Sequence, residues 1–225
     1  MTRWWILALL VGASALVISQ CIPRSSQLRY RMTVVVDTPE GIKTGSSVIE
    51  ARVSRQLPVM GSDGVVYRVR GEAVVVDLPG GQSIFALLGN EPYHVALPSN
   101  GLRRGRSEPH VAPDLDARER DAADWPALRR NEPLITLAPD DYPRLVRFRD
   151  LADPATVELI DPLNLDSSLG AGHRLLRITI QPTEEESTPT VEQRLPWLNT
   201  TLTNYLPGPA ARANSLNVLD FKKRQ

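Results

Sequence analysis

Val65-Val66-Tyr67-Arg68-Val69-Arg70-Gly71-Glu72-Ala73-Val74-Val75-Val76-Asp77 is the most regular stretch of the chain. Val65, Tyr67, Val69, Gly71, Ala73 and Val75 fall on one side of a period-two pattern, with Arg68, Arg70 and Glu72 opposite. Successive strand side chains point to opposite faces, so the pattern predicts one long β-strand. Tyr67, Val69, Ala73 and Val75 should be buried together, and Arg68 and Arg70 exposed. Ala73 to Val76 is apolar on both sides, which predicts a strand covered on both faces. Leu78-Pro79-Gly80-Gly81 then reverses into Ser83 to Leu88, a hairpin signal.

Upstream, Tyr30, Met32, Val34 and Val36 alternate with Arg31, Thr33, Val35 and Asp37. Residues 24–28 read as a polar connector before this strand. Thr38-Pro39-Glu40-Gly41 has turn chemistry. A second run follows, with Ser47, Ile49, Ala51 and Val53 on one face and Glu50, Arg52 and Ser54 on the other, and Gly61-Ser62-Asp63-Gly64 breaks it from the third. The expectation for residues 29–89 is four strands in an antiparallel meander.

Downstream, residues 90–113 read as loop, and a short helix is expected from Asp114 to about Asp124, ended by Pro126. Strands resume at Arg144 to Arg149, with Val146 and Phe148 on one face, then at Val157 to Ile160 and Arg174 to Gln181. In the last of these Leu176, Ile178 and Ile180 oppose Arg177, Thr179 and Gln181. Residues 182–190 form an acidic, proline-flanked loop, and Val191 to Leu198 a helical turn. Nineteen prolines argue against long helices. The predicted fold is mainly β, antiparallel and sandwich- or barrel-like, with minor α content. It occupies residues 24–206 with a single shared core, and residues 207–225 form a mobile tail.

The amino terminus differs from the rest. Trp4 to Ile22 carries no charged side chain. As a helix it would span roughly 28 Å, near the ~30 Å hydrocarbon core of a bilayer. Residues 1–23 therefore read as an anchor or signal segment. An uncleaved signal-anchor fits best, with Trp4 and Trp5 in belt position and Arg24, Arg29 and Arg31 beyond the far end. A cleaved secretory signal is the second reading, with small residues at Ala13-Ser14-Ala15 or near Ser19. The third is a lipoprotein acylated at Cys21, against which Gln20 counts because a small residue belongs there. A short tail before Arg3 favours export of the body, while the three downstream arginines favour the opposite orientation. The expected setting is a single-pass inner-membrane protein with its domain in the periplasm.

Lys plus Arg and Asp plus Glu number 26 each, so no net field draws the chain to nucleic acid. Cys21 is the only cysteine, which excludes an intrachain disulfide or a thiolate metal centre. His94, His110 and His173 lie in separate loops without metal-pair spacing. A Ser-His-Asp arrangement would lack a G-x-S-x-G elbow, and Gly41 to Gly45 and Gly80-Gly81 are glycine turns without the G-x-x-x-x-G-K-[ST] order of a phosphate loop. Asp140, Asp141, Asp150, Asp153 and Asp161 do not have calcium-loop spacing, and Asp153-Pro154 and Asp161-Pro162 are ordinary turn punctuation. Arg103, Arg104 and Arg106 read as a solvated loop cluster and Trp197 as a core plug. No catalytic, metal or cofactor residue is assigned.

Arg68 to Leu78, Leu145 to Val157 with its Asp153-Pro154, and Glu192-Gln193-Arg194-Leu195-Pro196-Trp197-Leu198 together resemble a set of uncharacterised alphaproteobacterial membrane-anchored envelope proteins. The resemblance covers most of residues 28–200. It implies an apolar N-terminal segment, a β-rich body and a bacterial envelope setting, and carries no activity with it. The expected function is a membrane-anchored, β-rich envelope protein held to the membrane by residues 4–22 and acting by protein contact. A membrane-anchored hydrolase built from loop residues and a cargo-binding lipoprotein are the alternatives.

Overall fold

A computed structural model describes residues 25–55, 65–88, 129–186, 191–199 and 205–223. The anchor at residues 4–22, Cys21, the Gly61–Gly64 turn, the loop at 90–113 with its three arginines, His94, His110 and the helix at Asp114–Asp124 lie outside these residues. Among the described residues, no helix is long and apolar enough to cross a membrane.

The body is mainly antiparallel β, as expected. Strands β1 (Ser25–Asp37), β2 (Lys43–Arg55), β3 (Val65–Glu72), β4 (Val74–Asp77) and β5 (Ser83–Ala86) come first. Then follow β6 (Ile135–Thr136), β7 (Leu145–Phe148), β8 (Val157–Ile160), β9 (Arg174–Pro182) and β10 (Lys222–Lys223). They form two sheets, a six-stranded one in the order β10-β3-β2-β1-β9-β6 and a four-stranded one in the order β4-β5-β7-β8. β1 starts four residues earlier than the sequence pattern implies. Ser25 to Leu28, expected as a connector, pair with Ser54 to Ala51, and Leu28 is buried. Thr38 and Gly41 exchange backbone hydrogen bonds across the tight turn into β2.

The first hydrophobic cluster lies between the sheets. Tyr30, Met32, Val34 and Val36 of β1, Ile49 and Ala51 of β2, Val69 of β3 and Ile178 and Ile180 of β9 face Val74, Val76, Ile84, Ala86, Leu145 and Ile160 of the smaller sheet. Two inner faces that interdigitate in this way make a β-sandwich. At the closest approach of the sheets, a Cβ on Gly45 of β2 would lie 1.9 Å from the Val75 carbonyl oxygen of β4. Only glycine fits there.

The long run 65–77 is not one strand, which corrects the expectation. The break between β3 and β4 falls at Ala73, just past Gly71, whose φ of 145° lies where side-chain-bearing residues rarely go. A Cβ on Gly71 would also crowd the Val48 carbonyl oxygen at 3.1 Å. The chain bends and passes from the larger sheet to the smaller, so the alternation changes sides. Val69 points into the first cluster, and beyond the bend Val74 and Val76 do so instead. Ala73 and Val75 turn to a second cluster on the far side of the smaller sheet. Ala73 to Val76 is thus covered on both faces, as its composition implies. Arg68 and Arg70 are exposed; the Tyr67 side chain lies outside the described residues.

The second cluster supplies a third layer. Phe85, Leu87, Val146, Phe148 and Val157 of the smaller sheet pack against Val191 and Leu195 near helix α2, Leu198, Leu206, Ala211 of helix α3, Leu216 and Phe221; α1 is Asp166–Leu169, α2 Val191–Arg194 and α3 Pro209–Ala213. Edge-on rings join at its centre, Phe85 to Phe148 at 5.6 Å between centroids and Phe148 to Trp197 at 5.6 Å. The indole Nε1 of Trp197 donates to the Leu151 carbonyl at 2.9 Å, so the residue is part of the packing.

Residues 207–223, expected as a loose tail, are folded into this layer. Phe221 is fully buried, its carbonyl accepts from Ala73 N–H at 2.8 Å, and the Asp220 carbonyl accepts from Leu88 N–H at 2.8 Å. Lys222 forms an ion pair with the buried Glu72 at 2.9 Å and another with Glu192. The segment is rich in small residues and proline, which reads as loop, yet Leu206, Leu216 and Phe221 are enough to anchor it. Pairing of β9 with β1 and of β7 with β5 interleaves the two halves of the chain into one body.

Candidate functional site

The outer face of the six-stranded sheet carries an unusual concentration of charge. Register places Arg29, Glu50 and Arg70 side by side in one cross-strand row, from β1 through β2 to β3. The adjacent row is Gln27, Arg52 and Arg68, and Arg31 stands opposite Val48 one step further along. Five arginines therefore crowd one end of a single face, the end at which β1 enters the sheet. The strands put them there by the alternation that buries Tyr30, Ile49 and Val69 on the other side.

Glu50 organises the centre. It is largely buried beneath the guanidinium groups, with Arg29 Nε at 3.0 Å from one oxygen and Arg52 Nη2 at 3.5 Å from the other. Arg52 Nη2 also donates to Gln27 Oε1 at 3.0 Å. Among the described residues Arg70 makes no ion pair, although its strand neighbour across the sheet is Glu50. Two shallow recesses open here, one lined by Glu50, Arg52, Arg68 and Arg70 and the other by Arg29, Glu50, Arg70 and Glu186. The larger holds about 120 Å³, well under the ~300 Å³ at which small-molecule pockets begin. The geometry suits surface contact with carboxylates or phosphates through forked guanidinium groups.

The other candidate groups among the described residues serve local structure. His173 Nδ1 lies 2.8 Å from the Gly170 carbonyl, and Asp166 Oδ1 accepts from the His173 backbone N–H at 2.8 Å. Ser167 Oγ donates to the Asn164 carbonyl at 2.8 Å. A serine, a histidine and an aspartate thus share one turn, but each is bonded to backbone and they make no relay. Asp150, Asp153 and Asp161 accept from the backbone N–H two residues on, at 2.9 Å in each case, which is the turn role expected of them.

Two groups with displaced proton affinities lie in the interior. Burial pushes the Tyr30 phenol well above its ordinary range, and its hydroxyl has no hydrogen-bond partner in the first cluster. Burial also raises the Asp220 carboxyl; the Asn217 backbone N–H at 2.9 Å and the charges of Arg144 and Lys223 pull it back. Asp220 closes a capping box with Asn217, which ties it to the C-terminal layer.

The sequence pattern predicts the exposure of Arg68 and Arg70 from alternation alone. It does not show that Arg29, Arg31 and Arg52 join them, because that depends on register. The signal is an arginine at every outward position from 68 to 70 and again from 29 to 31. Comparison with protein-family models, curated proteins and solved structures finds no match.

Proposed function

We propose that this chain is a contact protein of the bacterial envelope, held in the inner membrane by residues 4–22, that recruits a protein partner through the arginine face of its β-sandwich. The observation that carries this reading is the gathering of Arg29, Arg31, Arg52, Arg68 and Arg70 on one sheet face of a chain whose overall charge is balanced. Segregated charge of this kind steers an oppositely charged partner and sets its register. Among the described residues, the small recesses of this face and the backbone-committed loop groups favour contact over hydrolysis. The entry of β1 at Ser25, immediately after the apolar segment, supports a body held close to the bilayer.

The test is photo-crosslinking in intact cells from Ser46, which is exposed on the same face, with Leu163, exposed elsewhere, as the control position. The reading expects one protein adduct from Ser46, absent from Leu163 and lost in Arg70→Glu. Adducts to lipid alone, or adducts indifferent to Arg70→Glu, would overturn it. A compartment-sensitive reporter after Gln225 tests the periplasmic orientation separately.

A further inference from the structure

The chain leaves β9 at Pro182 and folds three glutamates onto the arginine face. Thr183 N–H donates to the Arg29 carbonyl at 3.0 Å, extending the pairing with β1 by one step. Glu185 N–H donates to Thr183 Oγ1 at 3.2 Å, which turns the segment across the sheet. The Glu184 carbonyl accepts from Arg29 Nη1 at 3.4 Å, the Glu185 carboxylate pairs with Arg31, and Glu186 borders the recess of Arg29, Glu50 and Arg70.

Within the two cross-strand rows Arg29 and Arg52 share the carboxylate of Glu50, and among the described residues Arg70 makes no ion pair. The segment adds the Glu185 carboxylate at Arg31 and the Glu186 side chain beside Arg29 and Arg70. We infer that Glu184–Glu186 is a built-in occupant of the arginine face, and that the face takes an acidic peptide segment of a partner protein which must displace it. This rests on the face being the contact surface proposed above.

The physical logic is competition. Ion pairs exposed to water are individually weak, so the glutamate segment is readily lifted. Being tethered, however, it acts at an effective concentration that a weakly charged peptide in solution does not match. A partner segment with a longer run of carboxylates, or one concentrated on the same membrane, displaces it. The device therefore excludes weak anions and admits a highly acidic chain.

The experiment titrates the full-length protein, in neutral detergent, with a fluorescein-labelled hexaglutamate peptide. Wild type is compared with the triple variant Glu184→Gln, Glu185→Gln, Glu186→Gln, and with Asp140→Asn, Asp141→Asn, which neutralises charge on an exposed turn away from the face. The triple variant is expected to bind on the order of tenfold more tightly at low salt, with the gap closing at about 0.5 M salt. The aspartate variant should bind like wild type. Equal, measurable affinity of wild type and triple variant would overturn the role of the segment while leaving the face as a contact surface. An equal gain in the aspartate variant would reduce the effect to bulk charge and overturn it as well. A triple variant that is folded by circular dichroism yet binds no peptide would overturn both the inference and the reading beneath it. Tighter binding to phosphatidylglycerol vesicles than to the peptide would reassign the face to lipid.

Discussion

On β1, Tyr30, Met32, Val34 and Val36 face inward and are buried to within two per cent, while Arg29 and Arg31 on the same strand keep about a third of their side chains in water. On β2 the pair is Ile49 and Ala51 against Glu50 and Arg52, and on β3 Val69 against Arg68 and Arg70. The inner side gains its free energy from burial, roughly 1.5–3 kcal/mol for each large apolar side chain removed from water. The outer side gains little from its ion pairs, since exposed pairs contribute about 0–1 kcal/mol each. Arginines at this density are therefore poorly explained by stability. Inner and outer faces answer to different demands, and substitutions on each should separate them.

The largest effect is expected inside. Phe85→Ala removes the ring that meets Phe148 at 5.6 Å and Phe221 at 6.1 Å, and should cost about 3–5 kcal/mol in chemical denaturation. A loss near that of a surface substitution would mean that the C-terminal layer does not depend on the second cluster. Gly45→Ala comes next. Its new Cβ meets backbone, so the sheets must part, and the loss should approach the upper end of the ~1–3 kcal/mol typical of overpacking. A neutral result would show that β2 and β4 do not approach as closely as described. Tyr30→Phe should act in the opposite direction. Its hydroxyl is buried without a partner, so deleting it is expected to raise stability by about 1 kcal/mol, read as an increase in the unfolding midpoint.

These positions also show how much of the molecule was legible beforehand. Alternation gives β1, β2, the first part of β3, the faces of β7 and those of β9 from Ile178 onward, because period-two burial is local information; before Ile178 the register shift between Val35 and Val36 turns Leu175, and not the expected Leu176, to the first cluster. It misread the passage from Gly71 to Val75, where an apolar run continued across a sheet change and only the single glycine marked the bend. Leu28 looked like connector because Ser25, Ser26 and Gln27 are polar, yet the pairing with β2 carries the strand that far. The C-terminal layer was missed for a related reason. Leu206, Ala211, Leu216 and Phe221 have no strict period, and their burial depends on the outer side of a sheet built from distant residues. The arginine face was half visible, since alternation shows which side a residue takes but not which strands lie next to each other.

A smaller effect concerns pH. Burial holds the Asp220 carboxyl above its ordinary value of 3.8, so the folded chain keeps that proton to higher pH than the unfolded chain does. Its contribution to stability is fully present below the ordinary carboxylate value and is lost as pH rises through the raised one. Asp220→Asn should remove this decline, which urea midpoints measured across the mildly acidic range will show. An unchanged slope would mean that Asp220 is ionised in the fold at the same pH as in the unfolded chain.

The smallest expected effect on stability gives the most direct test. Arg52→Gln, Arg68→Gln and Arg70→Gln combined keep most of the aliphatic stems and remove three charges from the outer face. Thermal unfolding and hexaglutamate titration on the same sample separate fold from function. The account predicts a change in stability within about 0.5 kcal/mol per substitution together with at least a tenfold loss of peptide affinity. Unfolding as severe as that of Phe85→Ala, with peptide affinity retained, would contradict it, because the arginines would then belong to the fold and not to the contact.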